Sequence, residues 1–218
     1  DEKENVDQLE GDNIKILITK ARGQVAQRAE GFENATGVFV LQMDDDVVFD
    51  TIAIEEMMIL LMQLGQKYVV GPVFCDEINQ KPIAEFNIGL IGFFRNLYLT
   101  CFAGLPWGLL SMGAYSARTC AISIDPKFAK KPLHAVQWLA GGFVIGFRED
   151  LVLTNFYPLP GKAYCEDLLH AQSRSKKGIQ HMVASEVMVS TKPQGNKITL
   201  PELKRELEAR RLIAKKLG

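Results

Sequence analysis

The stretch VFVLQMDDD, residues 38–46, combines an apolar run with three consecutive aspartates. Its first six residues predict a buried strand. Adjacent carboxylates at the end of a buried strand repel one another unless a cation holds them. Asp44 and Asp46 can both reach one hard divalent cation, Mg²⁺ or Mn²⁺, while Asp45 points elsewhere. A solvated acidic turn or a helix-capping cluster explains the triplet equally well. The triplet alone therefore does not establish a metal site.

The segments around this stretch alternate between strand and helix patterns. Residues 14–19 predict a strand, and residues 22–36 predict a helix that buries Val25, Ala29 and Phe32. A second helix is predicted over residues 51–64, ending at Gly65, with a strand resuming at residues 68–70. This order predicts right-handed crossovers and an α/β fold with a mostly parallel sheet. The aspartate triplet lies at a carboxyl end of a strand, where ligands of such sheets bind.

The second half of the chain continues the same class. Residues 138–145 predict a glycine loop that enters a strand, residues 164–177 predict a helix, and residues 181–189 predict another strand. A capping box, Thr199 to Glu202, opens a terminal helix. We therefore predict one α/β domain over residues 1–198 and an amphipathic basic helix over residues 199–218.

Composition limits the classes of function. With 218 residues and 47% hydrophobic content, the chain suits one sizeable core. A net charge of -1 gives no reason to expect nucleic acid as a partner. Four cysteines without metal-ligand or framework spacing predict a reducing, cytoplasmic compartment. Polar residues interrupt the apolar region 83–112, which therefore is not predicted to span a membrane; with the basic residues of 204–216, it suggests peripheral contact at the inner face of the membrane.

Two further groups of polar side chains carry candidate chemistry. Glu166 and Asp167 open a helix, where the dipole favours a carboxylate that acts as a base, although helix capping explains the pair as well. His170 follows one helical turn later and is taken as a neighbour only. Arg22, Gln24 and Arg28 crowd the start of an earlier helix, a place suited to anions, although a polar helix face explains them as well.

Four motifs in sequence order resemble those of family 2 glycosyltransferases: KARGQVAQR at 20–28, the strand into DDDVVF at 44–49, WLAGG at 138–142 and AYCED at 163–167. The resemblance covers residues 14–189. It implies the GT-A fold, a Rossmann-like mixed sheet flanked by helices. It also implies a set of roles: Asp44 and Asp46 hold Mg²⁺ or Mn²⁺, Asp167 with Glu166 supplies the general base, Arg22, Gln24, Arg28, Asp44 and Asp45 bind the nucleotide-sugar, and Trp138, Gly141 and Gly142 bind the acceptor.

The implied activity is an inverting transfer of a sugar from a nucleotide-diphosphate donor to a cell-envelope or lipid-linked glycan. One departure stands out, because the strands with which the family opens, and which hold the base and ribose, are not found. We therefore expect a chain truncated at its start, which lacks the first strands of the sheet and has an incomplete pocket for the nucleotide. The family's Q-x-x-R-W motif is also absent, which disfavours a cellulose- or hyaluronan-synthase-like polymerase.

Two alternatives remain at this stage. A nucleotidyltransferase would also use paired metal carboxylates, but the sequence has no glycine-rich loop bearing a lysine for phosphate. A noncatalytic module of the same fold would bind a glycan or a protein partner, which the lacking nucleotide segment favours and the retained Asp44, Asp46 and Asp167 disfavour.

Overall fold

The computed structural model describes residues 11–20, 23–80, 131–158, 163–164, 166–192 and 199–217, and residues 82, 94, 97 and 101 singly. These residues form a mixed α/β structure. Its helices are α1 (Gln24–Asn34), α2 (Thr51–Leu64), α3 (Glu166–Lys176) and α4 (Leu200–Leu217). Its strands are β1 (Phe39–Met43), β2 (Val47–Val48), β3 (Tyr68–Asp76), β4 (Leu133–Val136), β5 (Phe143–Phe147) and β6 (Gln180–Thr191). No helix within these ranges has both the length and the apolar character that crossing a membrane requires.

One sheet holds all six described strands, in the order β1-β5-β3-β6-β2, and β4 also pairs with β6. The mixed sheet agrees with the predicted fold class, but the expectation of a mostly parallel sheet is wrong for the described strands. Only β3 and β6 pair in parallel, and the other four pairings are antiparallel. The reason is that β5 inserts between β1 and β3 and runs against both. β1 and β3 are therefore parallel in direction without being neighbours.

Most predicted elements are present with shifted ends. The 51–64 helix has the predicted bounds and ends at Gly65, whose φ of 82° is a conformation that suits glycine. Helix α1 buries Val25, Ala29 and Phe32 as its spacing predicts. In the terminal capping box, the Thr199 amide and hydroxyl donate to Glu202 Oε2 at 2.9 and 2.7 Å. The division into domains at residue 198 stays a prediction.

The strand predicted at residues 14–19 is wrong. These residues form no strand in the structure, and none of them pairs with a described strand. Ile14 and Ile18 are 51% and 71% exposed. β-Branched residues favour strands only where a pleated, half-buried surface receives them, so the local composition alone is insufficient.

Three clusters of buried side chains make up the described core. Met57 and Leu61 of α2 pack on one face of the sheet against Phe143 and Ile145, while Val144 and Val183 belong to a cluster on the opposite face. A third cluster joins α1 to α3 through apolar contacts among Val25, Tyr157, Ala163, Leu168 and Leu169. Each large side chain so buried contributes about 1.5–3 kcal/mol. The third cluster fixes the start of α1 beside the start of α3, where the polar residues lie.

Candidate functional site

Asp44 is placed by the pairing of β1 with β5. Met43 lies opposite Phe143 at the end of that ladder, and the Asp44 amide then donates to the Gly142 carbonyl at 2.9 Å. The register therefore brings the first aspartate of the triplet against the glycine loop. Asp45 and Asp46 follow in the exposed turn between β1 and β2.

The glycine loop meets the start of α3 as well. The Gly141 amide donates to Asp167 Oδ1 at 2.9 Å, and its carbonyl accepts a hydrogen bond from the Gln42 side chain. A Cβ atom at Gly141 would overlap Asp167 Oδ1 and lie 3.2 Å from Glu166 Oε1. A Cβ atom at Gly142 would lie 3.3 Å from Asp44 Oδ2. The absence of side chains at both positions thus allows three carboxylates to approach one stretch of backbone.

Arg28 links the two carboxylate groups. It lies one turn after Val25 on α1, and its Nη1 donates to Glu166 Oε1. Its Nη2 lies 3.6 Å from Asp44 Oδ1. The Arg28 side chain is only 10% exposed, so this cation is shielded from solvent where it contacts both groups. A single guanidinium therefore bridges the end of β1 and the start of α3.

The electrostatic environment disfavours the charged forms of two aspartates. Burial raises the pKa of Asp44; Arg28 opposes this effect, and Asp46, Glu166 and Asp45 add to it. Burial also raises the pKa of Asp167 well above its ordinary value, and the charge of Glu166 raises it further. Arg28 and the hydrogen bond from Gly141 lower the pKa of Asp167. A carboxylate with a raised pKa is a stronger base than an ordinary aspartate.

Six residues singled out from the sequence meet at this place: Arg28, Asp44, Gly141, Gly142, Glu166 and Asp167. Gln24 is exposed at the start of α1, and Arg22 lies outside the described residues. Trp138 packs against the third cluster, and its buried Nε1 has no hydrogen-bond partner within the described ranges. The roles given to Asp45, Gln24 and Trp138 stay predictions.

Gln42 was missed by the sequence reasoning. It is buried in β1, donates to the Gly141 carbonyl and leaves its Oε1 without a partner among the described residues. The signal was present, because Gln42 is the one polar residue in the apolar run 38–43 and lies two positions before Asp44. A buried polar side chain in a strand points to a specific hydrogen bond.

The aspartate triplet offers oxygen ligands of the kind that hard divalent cations prefer. No group of three or more His, Cys, Asp or Glu side chains forms a metal-binding arrangement in the described part of the chain. Mg²⁺ and Mn²⁺ sites that serve phosphate chemistry use one or two carboxylates and complete the shell with phosphate oxygens and water. Asp44 and Asp46 supply two such carboxylates, and a cation beside Asp44 would offset the negative neighbours that raise its pKa.

Comparisons with known proteins bear on the family and the fold of this chain. Residues 2–108 of this chain match the family model described as glycosyl transferase family 2. This range includes Arg28 and Asp44. No curated protein matches the chain. Among solved structures, a crystal structure of GalNAc-T7 with UDP, GalNAc and Mn²⁺ is similar, with a TM-score of 0.56 and 14% identity. The match covers 89% of this chain and 36% of that one. The likeness confirms a GT-A-like fold of a mixed sheet flanked by helices.

Proposed function

Because this chain belongs to glycosyl transferase family 2, we propose that it transfers a sugar from a nucleotide-diphosphate donor to a glycan acceptor with inversion at the anomeric carbon. The observation that carries the proposal is the meeting of Asp44 with Glu166 and Asp167 at the Gly141–Gly142 backbone. The end of β1 would receive the donor diphosphate, and the start of α3 would receive the acceptor hydroxyl.

Asp167 is the general base in this proposal. Its carboxylate takes the proton of the acceptor hydroxyl as that oxygen attacks the anomeric carbon and the bond to the diphosphate breaks. General-base catalysis of this kind contributes about 10²–10⁴-fold to a rate. The Gly141 amide donates to Oδ1 of Asp167 and so helps to hold this carboxylate in place. One displacement inverts the anomeric centre.

Asp44 and Asp46 would hold Mg²⁺ or Mn²⁺, and the charge of the bound ion would stabilise the leaving diphosphate. The similar GalNAc-T7 structure contains UDP and Mn²⁺, which makes these two the natural first probes for this chain. Arg28 Nη2 lies 3.6 Å from Asp44 Oδ1, and the same guanidinium would bind a diphosphate oxygen. Glu166 holds Arg28 from the opposite side.

The acceptor side of the proposal is a cell-envelope or lipid-linked glycan reached from a membrane surface. Helix α4 supports this with four exposed basic side chains, Lys204, Arg205, Arg211 and Lys215. Basic residues near an anionic bilayer contribute about 1 kcal/mol each to its binding. Peripheral contact with the inner face of a membrane is therefore part of the proposal.

Calorimetric titration of Mn²⁺ and then UDP tests the donor side. We expect UDP to bind in the presence of Mn²⁺, and the Asp44→Asn and Asp46→Asn variants to lose that binding. The matched control is Glu56→Gln, which removes one exposed carboxylate from α2. If neither this chain nor a version extended upstream in its own reading frame binds Mn²⁺ or UDP, the proposal fails, and a noncatalytic module that binds a glycan or a partner becomes the better account.

A further inference from the structure

Helix α3 carries a buried polar stripe that leads away from the site. Glu166, His170 and Arg174 lie four residues apart, on one side of the helix, and are 5%, 2% and 4% exposed. Charged side chains are rarely buried so fully unless something pairs with them. Since Arg174 lies two helical turns beyond Glu166, the stripe extends from the carboxylate pair into the interior.

The stripe contains polar atoms that need partners. Within the described residues, Glu166 Oε2, His170 Nε2 and Arg174 Nε have no hydrogen-bond partner, and neither has Nε2 of the buried His181 on β6. Buried polar atoms almost always bond to protein or to ordered water. Residues four apart on a helix are neighbours on its surface, with Cβ atoms about 5–6 Å apart, so the polar ends of their side chains can share a hydrogen-bonded water molecule. The spacing of the stripe therefore suits bridging water.

His170 and Arg174 differ in charge at neutral pH. Burial, followed by the charge of Arg174, lowers the pKa of His170 to about 2, so this imidazole is neutral. Burial lowers the pKa of Arg174 to about 10, and Glu166 and Asp167 oppose that effect, so Arg174 stays charged at neutral pH. The His170 ring stacks on Phe156 with centroids 4.7 Å apart, which fixes its position. A fixed neutral ring thus lies between a carboxylate and a guanidinium.

We propose that Arg174 is a positioning residue for the Glu166–Asp167 pair, acting through ordered water held along the stripe of Glu166, His170 and Arg174. Arg28 cannot fill this role alone, because it contacts Asp44 as well as Glu166 and, in the proposed function, would also bind the diphosphate of the donor. Arg174 lies in the interior, so its charge stays in place when Arg28 turns to a diphosphate. The inference rests on the proposed function for its catalytic consequence but not for the positioning itself.

Two readouts test the inference in the Arg174→Met and Arg174→Lys variants. The first is the ¹⁵N-glycine NMR resonance of the Gly141 amide, which donates to Asp167; the second is turnover of a UDP-sugar. We expect Arg174→Met to shift the Gly141 resonance and to lower kcat by about tenfold with KM for the donor unchanged. Arg174→Lys, which keeps the charge, restores both. The control is Lys176→Met, an exposed cation on the same helix.

The positioning role of Arg174, the bridging water and the proposed function each have a result that would contradict them. If Arg174→Met resembles Lys176→Met in both readouts, Arg174 does not position the pair. Should Arg174→Met fail to fold, His170→Leu replaces it, because losing the middle of the stripe must also shift the Gly141 resonance; an unchanged resonance there overturns the inference. A high-resolution crystal structure with a dry stripe refutes the bridging water. If the unaltered protein turns over no donor, the proposed function fails while the Gly141 resonance still tests the positioning.

Discussion

Of the two glycines in the site, Gly141 has less space for a side chain. We predict that Gly141→Ala lowers donor turnover by at least about 10²-fold, because a 1 Å displacement of the base can cost that much. The new Cβ would overlap Asp167 Oδ1 and force the base or the loop to move. Steady-state kinetics and the thermal midpoint, Tm, are measured together.

Gly31→Ala is the matched control for that substitution. Gly31 lies inside α1, and a Cβ there meets nothing within 4 Å. The change should leave turnover unaltered and stabilise the protein by about 0.5–1 kcal/mol, since alanine favours a helix interior over glycine. Equal kinetic effects of the two substitutions would show that the close approach at Gly141 is unimportant.

The raised pKa of Asp167 predicts that this residue lowers the stability of the protein at neutral pH while it supports activity. Above the ordinary value of 3.8 the unfolded chain ionises this group before the folded protein does. The unfolded state therefore binds fewer protons, and the free energy of unfolding falls as pH rises toward the raised pKa. Asp167→Asn removes this titration but keeps an acceptor for the Gly141 amide.

We accordingly expect Asp167→Asn to have a Tm above that of the unaltered protein at pH 7 and a smaller advantage at pH 4, while its turnover falls by about 10²-fold or more. Thermal unfolding across this pH range measures the difference. A Tm advantage that stays constant with pH would mean that Asp167 has no raised pKa.

At the scale of elements, sequence patterns succeed where burial is local and fail where it depends on distant partners. Helix α2 has its predicted bounds because its capping residue Asp50, its apolar spacing and Gly65 all lie within the segment. Residues 14–19 have strand composition but no described partner strand. The insertion of β5 between β1 and β3 joins residues about a hundred positions apart, which periodicity cannot report.

Helix α4 carries the prediction about membranes. Its exposed basic residues should bind vesicles that contain phosphatidylserine and release them as salt rises, because a Debye length of about 10 Å at 0.1 M screens such attraction. Cosedimentation of the protein with the Lys204→Gln, Arg211→Gln and Lys215→Gln changes combined should show weaker binding. A protein carrying the matched change Glu208→Gln should bind at least as well as the unaltered one. Salt-independent binding, or none, would remove the membrane from the proposed function.

At the scale of the whole molecule, the site is assembled from residues that are far apart in the chain. The resemblance of four motifs, in their order, to those of family 2 glycosyltransferases was enough to single out Arg28, Asp44, Gly141, Gly142, Glu166 and Asp167. The contacts among them were not predictable, since Arg28 and Glu166 are separated by 138 positions and meet only through the packing of α1 on α3. The hydrogen bond from Gln42 to Gly141 likewise depends on a distant partner, because the pairing of β1 with β5 brings these residues together.

A site built in this way binds its ligands only in the folded state, so ligands must stabilise the fold. With Mn²⁺ and UDP at about 100 times Kd, linkage adds about 2.7 kcal/mol to the free energy of unfolding. For a chain of this size that corresponds to a rise in Tm of about 5–10 °C. Asp44→Asn should abolish the rise, and Glu56→Gln should retain it. A rise that survives Asp44→Asn would place the ligands elsewhere on the molecule.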